Sequence, residues 1–336
     1  MLTLNRPEAR NAINSQMLDE LAEAVDTLRI DQGPERTSTL ILRSVVPGVF
    51  CAGADLRERH TMSKRDFHIW HQKLGRTFRD LANLDMPVIA ALDGLALGGG
   101  LELALTADVR VAGPHARKLG LPETRHAIIP GAGGTQLLSR LIGPAKAKML
   151  IFSGRNFDAK YARDLGIIEE LVESGRVEQG ENHGVAEDYE LAYRSALNMA
   201  EEFGAGGESD SALQGFRCCC SVRGDHVALS NDAGTPRLRC RTNEPFFFCA
   251  HDDSQARWRC ELQRQPSVEA SRWTCECERF GFTSKAVTDR TVPASCVRSS
   301  GWQWETACYR TLFDTQDRQE GLLAFKEKRK PVYQGV

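Results

Sequence analysis

Two glutamates close to glycine-rich segments are the residues of this sequence most able to do chemistry. Glu102 lies two residues beyond the glycines at 98–100, and Glu123 lies beyond the next expected strand. Two carboxyl groups in one shielded cleft can divide the roles of acid and base, because their protonations are coupled. Either glutamate alone is more simply explained as a solvated surface residue, so the pair is what indicates catalysis.

The glycine segments could supply hydrogen-bond donors for a developing negative charge. Residues 98–100 are predicted to end a strand and open a helix, where backbone N–H groups lack intrahelical acceptors and lie at the positive end of the dipole. Gly53 and Ala54 follow another expected strand and could present a second N–H group to the same point. A thioester enolate requires such a pair of donors. Each glycine cluster taken singly predicts only a tight turn.

Alternating short apolar strands and amphipathic helices are expected to position these residues. Strands are predicted at 1–4, 40–42, 88–92 and 109–111, and helices are predicted to begin near Asn14 or Ser15, after Ser63, and near Thr135, Pro144 and Asp158. A further helix is expected at 189–203, and a basic helical tail at 317–333. Repeated alternation of this kind indicates an α/β fold.

Four segments, in this order, resemble the enoyl-CoA hydratase (crotonase) family. They are Leu4-Asn5-Arg6-Pro7-Glu8-Ala9-Arg10-Asn11-Ala12, Ala52-Gly53-Ala54-Asp55-Leu56, residues 96–102, and Glu123 with residues 129–136. The sequence is most similar to the mitochondrial branch that contains methylglutaconyl-CoA hydratase and the enoyl-CoA hydratase domain-containing proteins. The resemblance is strong over 1–173 and 305–330 and weaker over 189–203.

The resemblance implies a spiral of ββα units, followed by a C-terminal helical region. It places the oxyanion donors on the N–H groups of Ala54 and Gly99. Glu102 would hold and activate water for attack at C3, and Glu123 would deliver a proton to C2. The residues implied to bind the substrate or its CoA portion are Ala52, Gly53, Ala54, Asp55, Leu56, Gly98, Gly99 and Lys326.

The isomerases of this superfamily usually keep only one such glutamate, so both together favour hydration. The expected substrate is a short or branched 2-enoyl-CoA, with 3-methylglutaconyl-CoA as one candidate, and isomerisation or thioester hydrolysis is the enzymatic alternative. The resemblance implies no metal and no cofactor beyond the CoA of the substrate. It also implies a trimer or a dimer of trimers and a mitochondrial location, although the chain begins within the family's second strand and shows no presequence.

Bulk composition excludes several partners. The 336 residues are 41% hydrophobic with a formal net charge of −2, which gives no basic field for nucleic acid. RNA binding is the hypothesis from another functional class, but the first helix carries mainly acidic residues, with only one arginine: Asp19, Glu20, Glu23, Asp26 and Arg29. No apolar run approaches the roughly 18 residues of a membrane span, so no membrane partner is expected.

Residues 205–304 differ in character from the rest of the chain. Nine of the 11 cysteines lie from Cys218 to Cys296, and helical periodicity is lost. We interpret 1–173 as the core, 174–204 as the start of the helical region, and 305–336 as the C-terminal tail of the family. Between them, 205–304 is interpreted as a segment foreign to the family, translated in another reading frame or through an intron. An inactive or non-assembling isoform is therefore a competing hypothesis. A zinc-binding insertion is disfavoured, because the cysteines lack paired CxxC spacing.

Three further residues invite a functional hypothesis that the sequence does not favour. His68 and His71 are one helical turn apart but have no third ligand, so they are expected on the surface. Cys51 is expected to be a small buried thiol rather than a nucleophile, because no motif places a base beside it.

Overall fold

A computed structural model describes residues 1–30, 37–173, 187–205, 227–232, 235–240, 247–252, 257–262 and 294–335. Its contacts divide the chain into two compact units, Met1–Gln214 with Arg298–Val336, and Gly215–Val297. The sequence-based boundaries at 205 and 304 lie several residues from these limits. They differ because the helix that leads into the family tail already packs on the larger unit.

The larger unit contains two parallel sheets. Its strands are β1 (Leu2–Leu4), β2 (Leu40–Ser44), β3 (Gly48–Cys51), β4 (Val88–Leu92), β5 (Gly94–Leu97), β6 (Val109–Ala112), β7 (Leu119–Gly120) and β8 (Glu170–Leu171). One sheet has the order β1-β2-β4-β6-β8 and the other the order β3-β5-β7. From β2 onward, successive strands alternate between the sheets, so each turn of the chain adds a strand to both. This arrangement confirms the expected α/β spiral fold.

Helices follow the strands in this unit and then close it. They are α1 (Ser15–Ile30), α2 (Leu56–Thr61), α3 (Lys64–Leu81), α4 (Gly99–Leu105), α5 (Gly134–Ile142), α6 (Pro144–Ser153), α7 (Ala159–Leu165), α8 (Leu191–Ala205), α9 (Ala294–Thr311) and α10 (Gln316–Glu327). Side-chain caps begin several of them as predicted: Asn14 accepts from the N–H of Met17 at 2.9 Å, and Ser63 accepts from the N–H of Asp66. The tail helix ends at Glu327, because Lys328 adopts a left-handed φ of 56°.

Apolar faces of the helices pack on the larger sheet. The helical stripe predicted for α3 is buried, with Phe67, Trp70, Leu74, Phe78 and Leu81 in the core. Strand β4 is buried along its whole length, as expected for a central parallel strand covered on both faces. On the other face, the Asp93 carboxylate accepts from the N–H groups of Ala192 and Tyr193 at 2.8 and 3.1 Å and fixes the start of α8.

The smaller unit contains a sheet of four antiparallel strands. They are β9 (Val227–Asp232), β10 (Thr235–Cys240), β11 (Phe247–Asp252) and β12 (Arg257–Leu262), each paired with its sequence neighbour. The side chains of the cysteine-rich segment, and with them the zinc hypothesis, lie outside the described residues. Within the described ranges, no helix has the length and apolarity that crossing a bilayer demands.

Candidate active site

The two predicted oxyanion donors lie side by side because their strands are neighbours. β3 and β5 pair in parallel, with Cys51 opposite Ala96, so the turns that follow them meet at one edge of the small sheet. A Cβ atom built on Gly99 would lie 3.6 Å from the nitrogen of Ala54, and one built on Gly53 would lie 3.2 Å from the nitrogen of Gly99. The two N–H groups therefore border the same small space.

Both N–H groups lack an acceptor within the described part of the chain. Gly99 is the first residue of α4, where an N–H group has no intrahelical partner. Gly98 corrects the sequence prediction, because its N–H is not free: it donates to the carbonyl of Gly120 at 2.8 Å and continues the ladder to β7. Of the predicted donor pair, the N–H groups of both Ala54 and Gly99 therefore remain open.

Glu102 is buried at the first turn of α4, facing the loop that leads into α5. Its Oε1 accepts hydrogen bonds from the N–H groups of Ala132 and Gly134, at 2.9 and 2.8 Å. Burial raises the pKa of Glu102 to about 7, and the two N–H donors partly oppose that rise. Its charge state therefore changes close to neutral pH.

Glu123 is buried beside the donor turn. It begins a 3₁₀ turn, Glu123–His126, and a Cβ atom on Gly98 would lie only 2.9 Å from its Oε1. Its Oε2 is buried with no hydrogen-bond partner in the described structure. Burial, followed by repulsion from Glu102, raises the pKa of Glu123 well above its usual value. The structure thus brings the two glutamates together as the sequence predicted.

The comparisons with known proteins agree with this geometry. The model of the family described as enoyl-CoA hydratase/isomerase matches residues 1–202. The chain belongs to this family. It is 36% identical to the mitochondrial methylglutaconyl-CoA hydratase of Homo sapiens over 335 residues, covering 100% of this chain and 73% of that protein. It is 44% identical to enoyl-CoA hydratase domain-containing protein 2, mitochondrial, of Bos taurus, covering 99% and 83%.

A solved relative has a similar fold. The enoyl-CoA hydratase from Bacillus anthracis superposes with a TM-score of 0.57 at 29% identity, covering 99% of this chain and 94% of that one. The recognition of the crotonase family and of its fold is therefore confirmed, and the hydratase names of the relatives support hydratase-type chemistry.

A third buried glutamate, which the sequence analysis missed, lies near Glu102. Glu305 on α9 is 3% exposed and accepts from the N–H groups of Gly133 and Thr135 at 2.6 and 3.0 Å, and from the Thr135 hydroxyl. Burial, followed by repulsion from Glu102, raises the pKa of Glu305 to about 8. The resemblance resumes at Glu305, which was the available signal, but no local spacing connects it to the distant glycines.

The remaining predicted binding residues have the following positions. Ala52 and Leu56 are partly exposed on the turn that carries Ala54. The Asp55 carboxylate caps α2 and pairs with Arg6 at 2.7 Å, so its visible role is structural. Partial burial opposes the effect of Arg6 and of the cap donors, but the pKa of Asp55 is lowered overall. Lys326 is exposed on α10, with its Nζ 3.5 Å from His60 Nε2.

An aromatic and cationic cluster adjoins Glu123. Arg59 is buried, donates to the Tyr309 hydroxyl and lies 4.3 Å over the Phe67 ring, with no carboxylate in ion-pair range among the described side chains. His71 stacks on Tyr309 at 4.2 Å, so the prediction that this histidine is on the surface is wrong. Burial, followed by Arg59, lowers the pKa of His71 to about 3. The helix α9 that buries His71 lies in the part of the chain where periodicity gave no guidance.

Two other hypotheses from the sequence can be compared with the structure. Cys51 is fully buried, its thiol donates to the carbonyl of Asn11 at 3.0 Å, and burial raises its pKa to about 12, which confirms the interpretation as a packed thiol. Over the described residues, no group of three His, Cys, Asp or Glu side chains is arranged to hold a metal ion.

Proposed function

We propose that the chain adds water across the 2,3 double bond of a short or branched 2-enoyl-CoA. One observation carries the proposal: two buried carboxyl groups with raised pKa values lie beside two backbone N–H groups that have no acceptor in the described structure. Two donors fit the thioester oxygen as it becomes an enolate, and two carboxyl groups fit the two proton transfers that hydration needs.

The environments of the two glutamates support a division of roles. Glu102 has two N–H donors on one oxygen, which favour its ionised form, whereas Glu123 has an orphaned oxygen and a carboxylate neighbour, which favour its neutral form. Glu102 therefore accepts a proton from water as the hydroxyl bonds to C3. The N–H groups of Ala54 and Gly99 hold the enolate oxygen, and Glu123 gives its proton to C2. Proton exchange with solvent then restores both carboxyl groups.

Arg59 favours an acyl group that carries its own carboxylate. A buried guanidinium without an anionic partner in range is costly, and a bound carboxylate would offset that cost. Arg59 is close enough to Glu123 to oppose part of the rise in the pKa of that residue, and we infer that its charge faces the acyl end of the cleft. The relatives named methylglutaconyl-CoA hydratase make 3-methylglutaconyl-CoA the first carboxylated candidate.

The test is loss of the enoyl-thioester absorbance with crotonyl-CoA and with 3-methylglutaconyl-CoA. We expect Glu123→Gln to lower kcat by about 100-fold or more, while Glu202→Gln, an exposed change on α8, leaves turnover unchanged. Arg59→Met is expected to reduce kcat/KM for the carboxylated substrate alone. Turnover that survives Glu123→Gln contradicts the mechanism, and equal losses on both substrates contradict the role of Arg59.

Isomerisation and thioester hydrolysis are distinguished by product. Chromatography of the CoA products separates a 3-hydroxyacyl-CoA from a shifted double bond or from free CoA. The second carboxyl group favours hydration, since it supplies the second proton transfer. An inactive isoform would leave both substrates unchanged.

Assembly, location and CoA contacts follow from the family in this proposal. We infer a trimer or a dimer of trimers, a mitochondrial location from the names of the relatives, and a CoA contact for Lys326 together with the 52–56 turn. Light scattering tests the oligomer. RNA binding is disfavoured, because Asp19, Glu20, Glu23 and Asp26 are exposed on α1.

A further inference from the structure

Four successive backbone N–H groups are divided between two carboxylates. The N–H groups of Ala132 and Gly134 donate to Oε1 of Glu102, at 2.9 and 2.8 Å. The alternate N–H groups, those of Gly133 and Thr135, donate to Oε1 and Oε2 of Glu305, at 2.6 and 3.0 Å. The same short stretch of chain therefore orients a carboxylate on each side.

Glu305 replaces the N-cap side chain that α5 lacks. The residue before that helix is Gly133, which has φ of 102° and no side chain to accept the free N–H groups. Glu305 reaches them from α9, and the helix is docked tightly there. A Cβ atom on Gly133 would lie 2.1 Å from the Trp302 ring. A shift of α9 would therefore move the 132–135 backbone.

We propose that Glu305 is a positioning residue for the hydration reaction: by holding the N–H groups of Gly133 and Thr135, it keeps those of Ala132 and Gly134 directed at Glu102. The inference rests on the proposed function. Glu305 touches neither water nor substrate in this scheme and acts through the orientation of Glu102. The fixed orientation of the 132–135 backbone is the physical link between Glu305 and Glu102.

Charges that face Glu305 come from three other elements. Glu102 on α4 and Glu123 at the 3₁₀ turn repel it, and Arg140 on α5 attracts it. Replacing the carboxylate by an amide removes the repulsion that Glu123 feels from position 305. The pKa of Glu123 then falls, so the alkaline limb of the kcat profile moves to lower pH. Loosening of the fold would also lower the pKa of Glu123 by admitting water, so amide exchange is needed to separate the two effects.

The kinetic test compares Glu305→Gln with Glu202→Gln in the full chain, using crotonyl-CoA. An amide at 305 can accept from only one of the N–H groups and sets a donor against the other. We expect kcat to fall by about tenfold to a hundredfold with KM within about twofold, as for a catalytic group displaced by a fraction of an ångström. An unchanged kcat with an unchanged alkaline limb overturns the proposal. Thr135→Val, which removes the hydroxyl donor to Glu305, should give a smaller fall in kcat. This variant replaces Glu305→Gln in the test if Glu305→Gln does not fold.

Amide hydrogen exchange decides the proposal independently of turnover. In protein labelled with ¹⁵N-glycine and ¹⁵N-alanine, Glu305→Gln should lose protection at Gly133, which Glu305 contacts directly. The proposal also requires faster exchange at Ala132 and Gly134, which contact only Glu102. Protection retained at those two amides would mean that Glu305 is a local cap and nothing more. If wild type hydrates neither substrate, the proposed function fails, while the exchange result still tests the positioning.

Discussion

Gly98→Ala tests whether the place of the Glu123 carboxyl group is set by the missing side chain at position 98. Gly98 has φ of 53° and ψ of −126°, a conformation that is essentially restricted to glycine. A Cβ atom there would lie 2.9 Å from Glu123 Oε1, whereas ordinary contact begins near 3.4 Å. The carboxyl oxygen must therefore move by about 0.5 Å, the difference between those distances.

The size of the effect follows from that displacement. If a misplacement of about 1 Å costs about a hundredfold in rate, half that distance costs about tenfold, or about 1.4 kcal/mol of activation free energy. The backbone strain costs about 1–3 kcal/mol of folding stability separately. We expect kcat for crotonyl-CoA to fall about tenfold and the midpoint of urea unfolding to fall as well.

Gly143→Ala is the matched control. Gly143 has φ of 83° and ψ of 153°, and nothing lies within 4 Å of its Cβ position. It therefore carries the same kind of backbone strain without touching Glu123. Both variants should lose comparable stability, and only Gly98→Ala should lose kcat. Equal kcat losses in the two variants would refute the argument, since strain alone would then explain the result.

Three further predictions concern stability and reactivity. Burial raises the pKa of Glu102 from 4.5 to about 7, so between these pH values the folded state holds a proton that the unfolded state releases. This residue therefore makes the free energy of unfolding fall as pH rises through that range. In urea titrations, Glu102→Gln should make this fall shallower between pH 5 and pH 8, and the same fall in the variant and the wild type would contradict the prediction. Arg110→Met should cost about 3 kcal/mol in the same assay, because this buried arginine donates to three backbone carbonyls and pairs with Glu169, and a loss below about 1 kcal/mol would contradict the importance of these bonds taken together. Brief iodoacetamide treatment at pH 8 should modify exposed Cys308 and spare Cys51 until the protein unfolds, since burial raises the Cys51 pKa to about 12; peptide mapping that finds both modified at equal rates would refute this.

The parts of the site that could be predicted are those set by residues close together in the sequence. A strand, a glycine turn and a helix follow one another within residues 94–105, so open N–H groups could be predicted within 98–100, and the family resemblance assigned the donor to Gly99. The position of Glu102 followed from the geometry of the first turn of the helix that begins at these glycines. Ala54 needed one further fact, the pairing of β3 with β5, which the family resemblance supplied and the parallel register explains.

The parts that were missed depend on packing between distant segments. Gly98 was expected to offer its N–H group, but strand β7 takes it, and no pattern around Gly98 reveals which strand will lie beside it. His71 was expected at the surface because no third metal ligand accompanies it and His68, yet Tyr309 covers it. Glu305 was overlooked for the same reason, since its partners are remote in sequence.

The contact between Glu305 and Gly133 also bears on the order in which the molecule folds. These residues are separated by 172 positions, so closing this contact costs about 1 kcal/mol more chain entropy than pairing β3 with β5. The spiral core can pair its strands during synthesis, whereas α9 is available only after nearly the whole chain has been made. We therefore expect the pocket around Glu102 to be completed last, only after α9 has been made.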